Sequence, residues 1–262
     1  RCSPSGTAST SPRVPATPPD TTVTPLLLPT GGYTITATRM LGQEDVGGVR
    51  HILVDVTVRQ KGAVLTAPRG YYYQARELTT LGGGARMVDS TLTVVADSAT
   101  YGRDSERLDG FGNVVLVEKG VRLTGDNGIY ERKIERGTLT GHVSGSQKGR
   151  RFNGDRMVYE RRSGLVLITG HAVVVDSTHD STIRGERIVY NTRTRLATAL
   201  ERPSLDWTQG QEFMQITGDR MRFQDDGNRL EVAGNLVARQ GRQTVTGDSA
   251  VFLDREAMAH VY

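Results

Sequence analysis

The chain is poor in the residues that build reactive sites. It has one cysteine, Cys2, so no disulfide can form within it. No apolar run approaches the roughly 20 residues of a membrane-spanning helix; stretches such as Leu165–Ile168 are far shorter. No stretch is dominated by charge of one sign. The 33 basic and 29 acidic residues are interspersed, so the net charge of +4 describes a mixed surface and not a nucleic-acid-binding arm. There is no Cys/His metal spacing, no Gly-x-Ser-x-Gly and no phosphate-cradling loop ahead of a helix. His51 and His260 are isolated, and "DSTHDST" (Asp176–Thr182) occurs once, in a segment that reads as a solvated loop. We therefore expect no catalytic residue, metal or cofactor, and no enzyme. No window has a 3.6-residue period, so helices are not expected either. Aromatics at 6% and hydrophobic residues at 36% are lean for a compact globule.

Proline is almost absent after residue 30: seven of the nine lie at Pro4, Pro12, Pro15, Pro18, Pro19, Pro25 and Pro29. That opening stretch has few large apolar residues and reads as an extended, disordered tether over residues 1–30. The folded part is then 31–262. The chain does not begin with Met, so a removed segment is expected. Cys2 ahead of a Ser/Thr/Pro tether has the pattern of a lipidated N-terminus, although Arg1 departs from the small residue such a site takes. An unmodified cysteine in a solvated tail is the other reading.

What the chain has in abundance is a repeat. An acid followed four residues later by an aromatic occurs at Asp97/Tyr101, Asp126/Tyr130, Asp155/Tyr159, Glu186/Tyr190, Asp219/Phe223 and Asp248/Phe252. A weaker first copy puts Pro68 before Tyr72, and successive copies are 29, 29, 29, 31, 33 and 29 residues apart. Between them recurs a glycine-led β-branched phrase at Gly112, Gly141, Gly170 and Gly234, blurred to "ERPSL" near Arg202. Turn signals separate the phrases at Lys119-Gly120, Lys148-Gly149, Ser163-Gly164, Asp226-Gly227 and Gln240-Gly241. Each repeat is thus two strands and two turns, which predicts an all-β domain of about 14–16 short antiparallel strands, clearest over 65–262.

Period-2 alternation separates the faces. Met157 with Tyr159, Ile188 with Tyr190, Met221 with Phe223, and Tyr130 point to one side. Val114 with Leu116, Val143, Ala172 with Val174, and Leu236 share that parity, giving either a core or an internal groove. Arg69, Arg156, Arg187 and Arg220 follow the slot residue and face outward; cross-strand pairing with acids is the simpler expectation, a phosphate-facing ladder the other. The acid itself is expected to shape a bend beside its glycine. His142 and His171 stand where other copies have Asn113 and Asn235, so they read as turn or strand positions.

The phrases "LDGFGNVVLVEKGVRLTGDNGIY" and "LTGHVSGSQKGRRFNGDRMVY" resemble the OstA-like family of periplasmic lipopolysaccharide-transport proteins over roughly residues 65–262. The segment from "TATRM" to "TAPRGYY" is similar to the opening rungs of that system's inner-membrane-attached member. The resemblance implies a twisted β-jellyroll joined end to end through edge strands, with an interior that shields lipid A acyl chains. It implies lipopolysaccharide as a partner, together with other β-jellyroll transport components or a second copy. It further implies a periplasmic location, with membrane contact only through the tether. It casts Val114, Leu116, Tyr130, Val143, Met157, Tyr159, Ala172, Val174, Ile188, Tyr190, Met221, Phe223 and Leu236 as the lipid-binding groove. Periodicity alone would give the same stripe to a dry-cored structural or adhesive β-repeat protein. The soluble N-terminal domain of an outer-membrane translocon is a further alternative. The blurred copy at Glu201–Trp207 departs from the family pattern, as does the stop at "DREAMAHVY", where another glycine-led strand would begin.

Overall fold

The computed structural model describes residues 26–27, 32–45, 48–209, 212–224, 229–253 and 258–262. Cys2, the Asp226-Gly227 turn and the proposed tether, apart from Leu26 and Leu27, lie outside these residues. The order is β1 (Leu26–Leu27), β2 (Tyr33–Thr36), β3 (Arg39–Asp45), β4 (Gly48–Gln60), β5 (Ala63–Tyr73), β6 (Leu78–Asp89) and β7 (Leu92–Gly102). Next come β8 (Arg107–Glu118), β9 (Val121–Glu131), β10 (Arg136–Gln147), β11 (Arg150–Glu160), β12 (Leu165–Asp176) and β13 (Ser181–Asn191). The last are β14 (Leu196–Leu200), β15 (Ser204–Gln209), β16 (Glu212–Thr217), β17 (Arg220–Gln224), β18 (Arg229–Gln240), β19 (Gln243–Leu253) and β20 (Met258–Val261). All pair antiparallel in one continuous 20-stranded sheet. The count exceeds the expected range because the opening segment adds four strands and the blurred copy splits two long strands into short ones.

Two turns of different chemistry close each repeat. At one edge, Lys61-Gly62, Lys119-Gly120 and Lys148-Gly149 each hold two residues at positive φ, the type I′ geometry that suits the twist of a hairpin. At the other edge a four-residue link ends on a left-handed residue: Glu77, Glu106, Glu135, Gly164 or Arg195.

The glycine-led phrase is a bulge in mid-strand. Gly112-Asn113, Gly141-His142, Gly170-His171 and Gly234-Asn235 are pairs of left-handed residues, and the ladder shifts register at each. Such a bulge bends its strand sharply. In the blurred copy Glu201 and Arg202 adopt the same conformation at φ 66° and 59°, so the geometry persists where the glycine does not. Pro203 follows and cannot donate to the ladder, and β14 and β15 are separate strands there.

The acid slot is explained by this bulge, though its glycine lies on the next strand. Asp97 accepts a hydrogen bond from Asn113 and Asp219 from Asn235, at 2.8 and 2.9 Å. Asp126 and Asp155 pair with His142 and His171 at 2.7 and 2.9 Å. Each carboxylate lies over its glycine so closely that a Cβ on Gly170 would sit 2.3 Å from Asp155 Oδ2. The expected cross-strand pairing does not form: Arg69, Arg156, Arg187 and Arg220 are exposed and make no ion pair among the described residues, and of the acids beside them Asp155 is engaged by His171 and Asp219 by Asn235.

Bending at the bulges doubles the sheet over, and the inner face becomes one hydrophobic cluster running the length of the molecule. One aromatic per rung fills it, from Tyr33, Tyr72, Tyr101 and Tyr130 at 0–2% exposure to Tyr159, Tyr190 and Phe252 at 8%.

Candidate functional site

Doubling over brings the two sets of turns together along a seam opposite the bulges. The seam is fastened by charge. At the third rung Arg161 donates to both oxygens of Glu118, with Nε at 3.0 Å and Nη2 at 2.7 Å. It also donates to the Tyr130 hydroxyl at 3.0 Å. One rung earlier Arg132 bridges Asp89 (3.1 Å) and Glu106 (2.8 Å) and reaches the Lys61 carbonyl. At the first rung the Gln60 amide receives the Tyr101 hydroxyl (2.8 Å) and donates to the Arg103 carbonyl (3.1 Å), while Lys61 pairs with Glu106.

These groups are withdrawn from water, and their titration reflects it. Burial pushes the Glu118 pKa up, but hydrogen bonds from Arg161 and Thr91 outweigh it and leave the carboxyl below its usual range. Glu106 follows the same pattern, with Lys61 and Arg132 opposing burial. Burial lifts the Tyr33, Tyr130 and Tyr159 hydroxyls to about 12.

Beyond Glu118 and Arg161 a cavity of about 110 Å³ opens between the sheet halves. Phe152, Val174, Ile183, Ile188, Tyr190, Ala197, Leu205, Trp207, Phe223, Leu230 and Phe252 form its walls. Arg150, Asp176, His179 and Ser181 stand on one rim, and Arg195, Gln224 and Arg229 on the other. Arg150 and His179 both bond Asp176, at 2.8 and 3.1 Å. Burial raises the Asp176 pKa, but these bonds and the Thr178 amide bring it down to about 2. An apolar chamber with a charged mouth suits an amphiphile: chains inside, polar group at the rim.

Four of the residues read from the sequence as groove (Val174, Ile188, Tyr190 and Phe223) line this cavity. Val114, Leu116, Tyr130, Val143, Met157, Tyr159, Ala172, Met221 and Leu236 face the same interior but are packed in the cluster away from it. Phe152 and Ile183 were overlooked. They belong to a third inward slot, three residues before the acid, also held by Leu65, Val94, Leu123 and Ile216. His179, expected in a solvated loop, is half-buried at the rim.

A family model described as "LptA/(LptD N-terminal domain) LPS transport protein" matches residues 55–195. That span holds the fastened rungs and the first wall of the cavity. No curated protein matches the chain. Among solved structures, one match is LptH, described as the LptA homologous periplasmic component of the conserved lipopolysaccharide transport device from Pseudomonas aeruginosa. It is 24% identical and gives a TM-score of 0.39, covering 42% of this chain and 81% of that one.

Proposed function

The chain belongs to the LptA/LptD N-terminal-domain family of LPS transport proteins, and from that premise we propose that it carries lipopolysaccharide across the periplasm with acyl chains held in the cavity between Phe152 and Phe252. The observation that carries the reading is the contrast along one interior: a dry, fastened stack gives way to an apolar chamber with a cationic rim. Each methylene moved from water into such walls gains about 0.8 kcal/mol, and no catalytic group is needed. Arg229 and Arg195 on the rim suit the phosphates of the polar head.

Bridging through edge strands is supported by β19. Residues 243–247 of β19 pair with β18 on one side, and among the described residues no strand pairs their other side. Val245 in that segment is 46% exposed, so a strand from a second copy or another β-jellyroll component would cover it. In this reading a tether ahead of the fold holds the protein near a membrane. The soluble N-terminal domain of an outer-membrane translocon would use the same cavity in the same way.

Photo-crosslinking residues at Tyr190 and Phe223 are expected to capture lipopolysaccharide, and the same residues at Arg156 and Arg187 to capture none. Equal labelling of both sets, or of neither in a folded protein, would return the interior to the role of structural core.

A further inference from the structure

The seam is periodic, and its period can be followed past the point where the fastening ends. On one side the column runs through the last residues of successive strands: Asp89 of β6, Glu118 of β8, Gln147 of β10 and Asp176 of β12. On the other it runs through Arg103, Arg132, Arg161 and Thr192. These four are equivalent by backbone geometry, since each amide donates to the turn one repeat earlier, at Glu77, Glu106, Glu135 and Gly164 respectively. Asp89 meets Arg132 and Glu118 meets Arg161. At the next rung both partners change together, to Gln147 and Thr192. Among the described residues the Gln147 side chain makes no hydrogen bond, and the Thr192 hydroxyl turns back to the Gly164 carbonyl at 2.9 Å. An amide alone does not explain the gap, because Gln60 fastens its rung through Tyr101 and the Arg103 carbonyl. One rung further, Asp176 bonds Arg150 and His179 on its own rim. The cavity begins at Arg150, three residues after Gln147.

We propose that the rung of Gln147 and Thr192 is a lateral port, and that these two residues determine where acyl chains pass between the sheet halves. This rests on the carrier reading above. The ligand enters sideways through the unfastened seam, polar head remaining at the rim, and the Glu118–Arg161 pair stops the chains from sliding on toward the buried tyrosines. Position along the stack is thus encoded by charge in the seam, not by apolar content, which is high in every rung.

Trp207 is the chain's only tryptophan and lines the cavity, so its emission reports on the interior. Dibrominated stearate is expected to quench it in the wild-type protein. The double variant Gln147→Glu/Thr192→Arg restores a pair of the kind found one rung earlier. It is expected to slow quenching about tenfold, equivalent to about 1.4 kcal/mol on the barrier to admission. Quenching as fast and as complete in the double variant as in wild type would overturn the port and leave the carrier reading standing. A wild-type Trp207 that the probe does not quench would overturn the carrier reading and the port with it. Hydrogen exchange without ligand gives an independent readout should the double variant not fold. The amides of 147–150 and 192–195 are expected to exchange faster than those of 118–121 and 161–164; equal rates would overturn the port.

Discussion

The first rungs, β4 to β10, and the later ones, β11 to β19, are built from the same repeat, yet they bury their interiors differently. In the first, the inward tyrosines Tyr72, Tyr101 and Tyr130 are sealed and the seam above them is tied by Lys61, Glu106, Arg132, Asp89, Arg161 and Glu118. In the second the aromatics are more open, a cavity separates the sheet halves, and Arg150 pairs with Asp176 on one rim. The apolar stripe is common to both halves. What differs is a handful of polar residues at strand ends and the cavity that lies beside them.

The comparison is broken most severely by unpairing the seam. Arg161→Met leaves Glu118, at 3% side-chain exposure, without its cation; unfolding by denaturant should register a loss of about 3–5 kcal/mol. Arg184→Met removes the more exposed pair with Asp206 in the later half and should cost less than about 1 kcal/mol. Similar losses at both sites would mean that the halves are fastened alike.

Truncation inside the two halves should differ in the same sense. Met87→Ala, in a packed and fully buried position of β6, should cost about 2–5 kcal/mol, the range for emptying a close-packed core. Val174→Ala, in the later half, enlarges a space that already exists and should cost less than Met87→Ala by chemical denaturation, while weakening retention of acyl chains.

The halves should also separate with pH. The folded pKa of Glu118 and Glu106 is depressed, so their contribution is present above the unfolded value of about 4.3 and is lost as pH falls below it. Asp176, at about 2, follows the same sign from its own unfolded value of about 3.9. Hydrogen exchange followed as pH falls below about 4.3 should therefore show the early seam loosening. For Tyr33, Tyr130 and Tyr159 the folded value is raised to about 12, so their contribution is complete below the unfolded value of about 10 and is lost as pH rises from there. Melting temperatures should fall between pH 10 and 12; a flat profile there would contradict their burial.

A gain in place of a loss is expected at the blurred repeat. Glu201 holds a left-handed conformation that glycine occupies elsewhere, so Glu201→Gly should stabilise the fold by about 1 kcal/mol. A destabilised variant would mean that the Glu201 side chain contributes more than its backbone conformation costs.

Much of this was legible in the sequence because the acid-to-aromatic phrase is local: four residues along a strand fix which side chains share a face, whatever lies around them. The strand class, the inward aromatics and Val174, Ile188, Tyr190 and Phe223 followed from that. The seam was not legible, since Glu118 and Arg161 stand 43 residues apart and meet only after the sheet doubles over. Nor was the partner of Asp97, Asp126, Asp155 and Asp219, which lies 16 residues on at an asparagine or histidine. The "ERPSL" copy lacks the glycine of the others, yet what the copies share is a pair of positive φ angles, which sequence does not display. The slot of Phe152 and Ile183 could have been found by aligning the copies on their acids and reading three places upstream.

The most direct test of the account is hydrogen exchange of the full chain with and without lipopolysaccharide. Protection is expected to concentrate in residues 150–253, with 63–131 unchanged. Protection spread evenly over both segments, or confined to the fastened rungs, would contradict it.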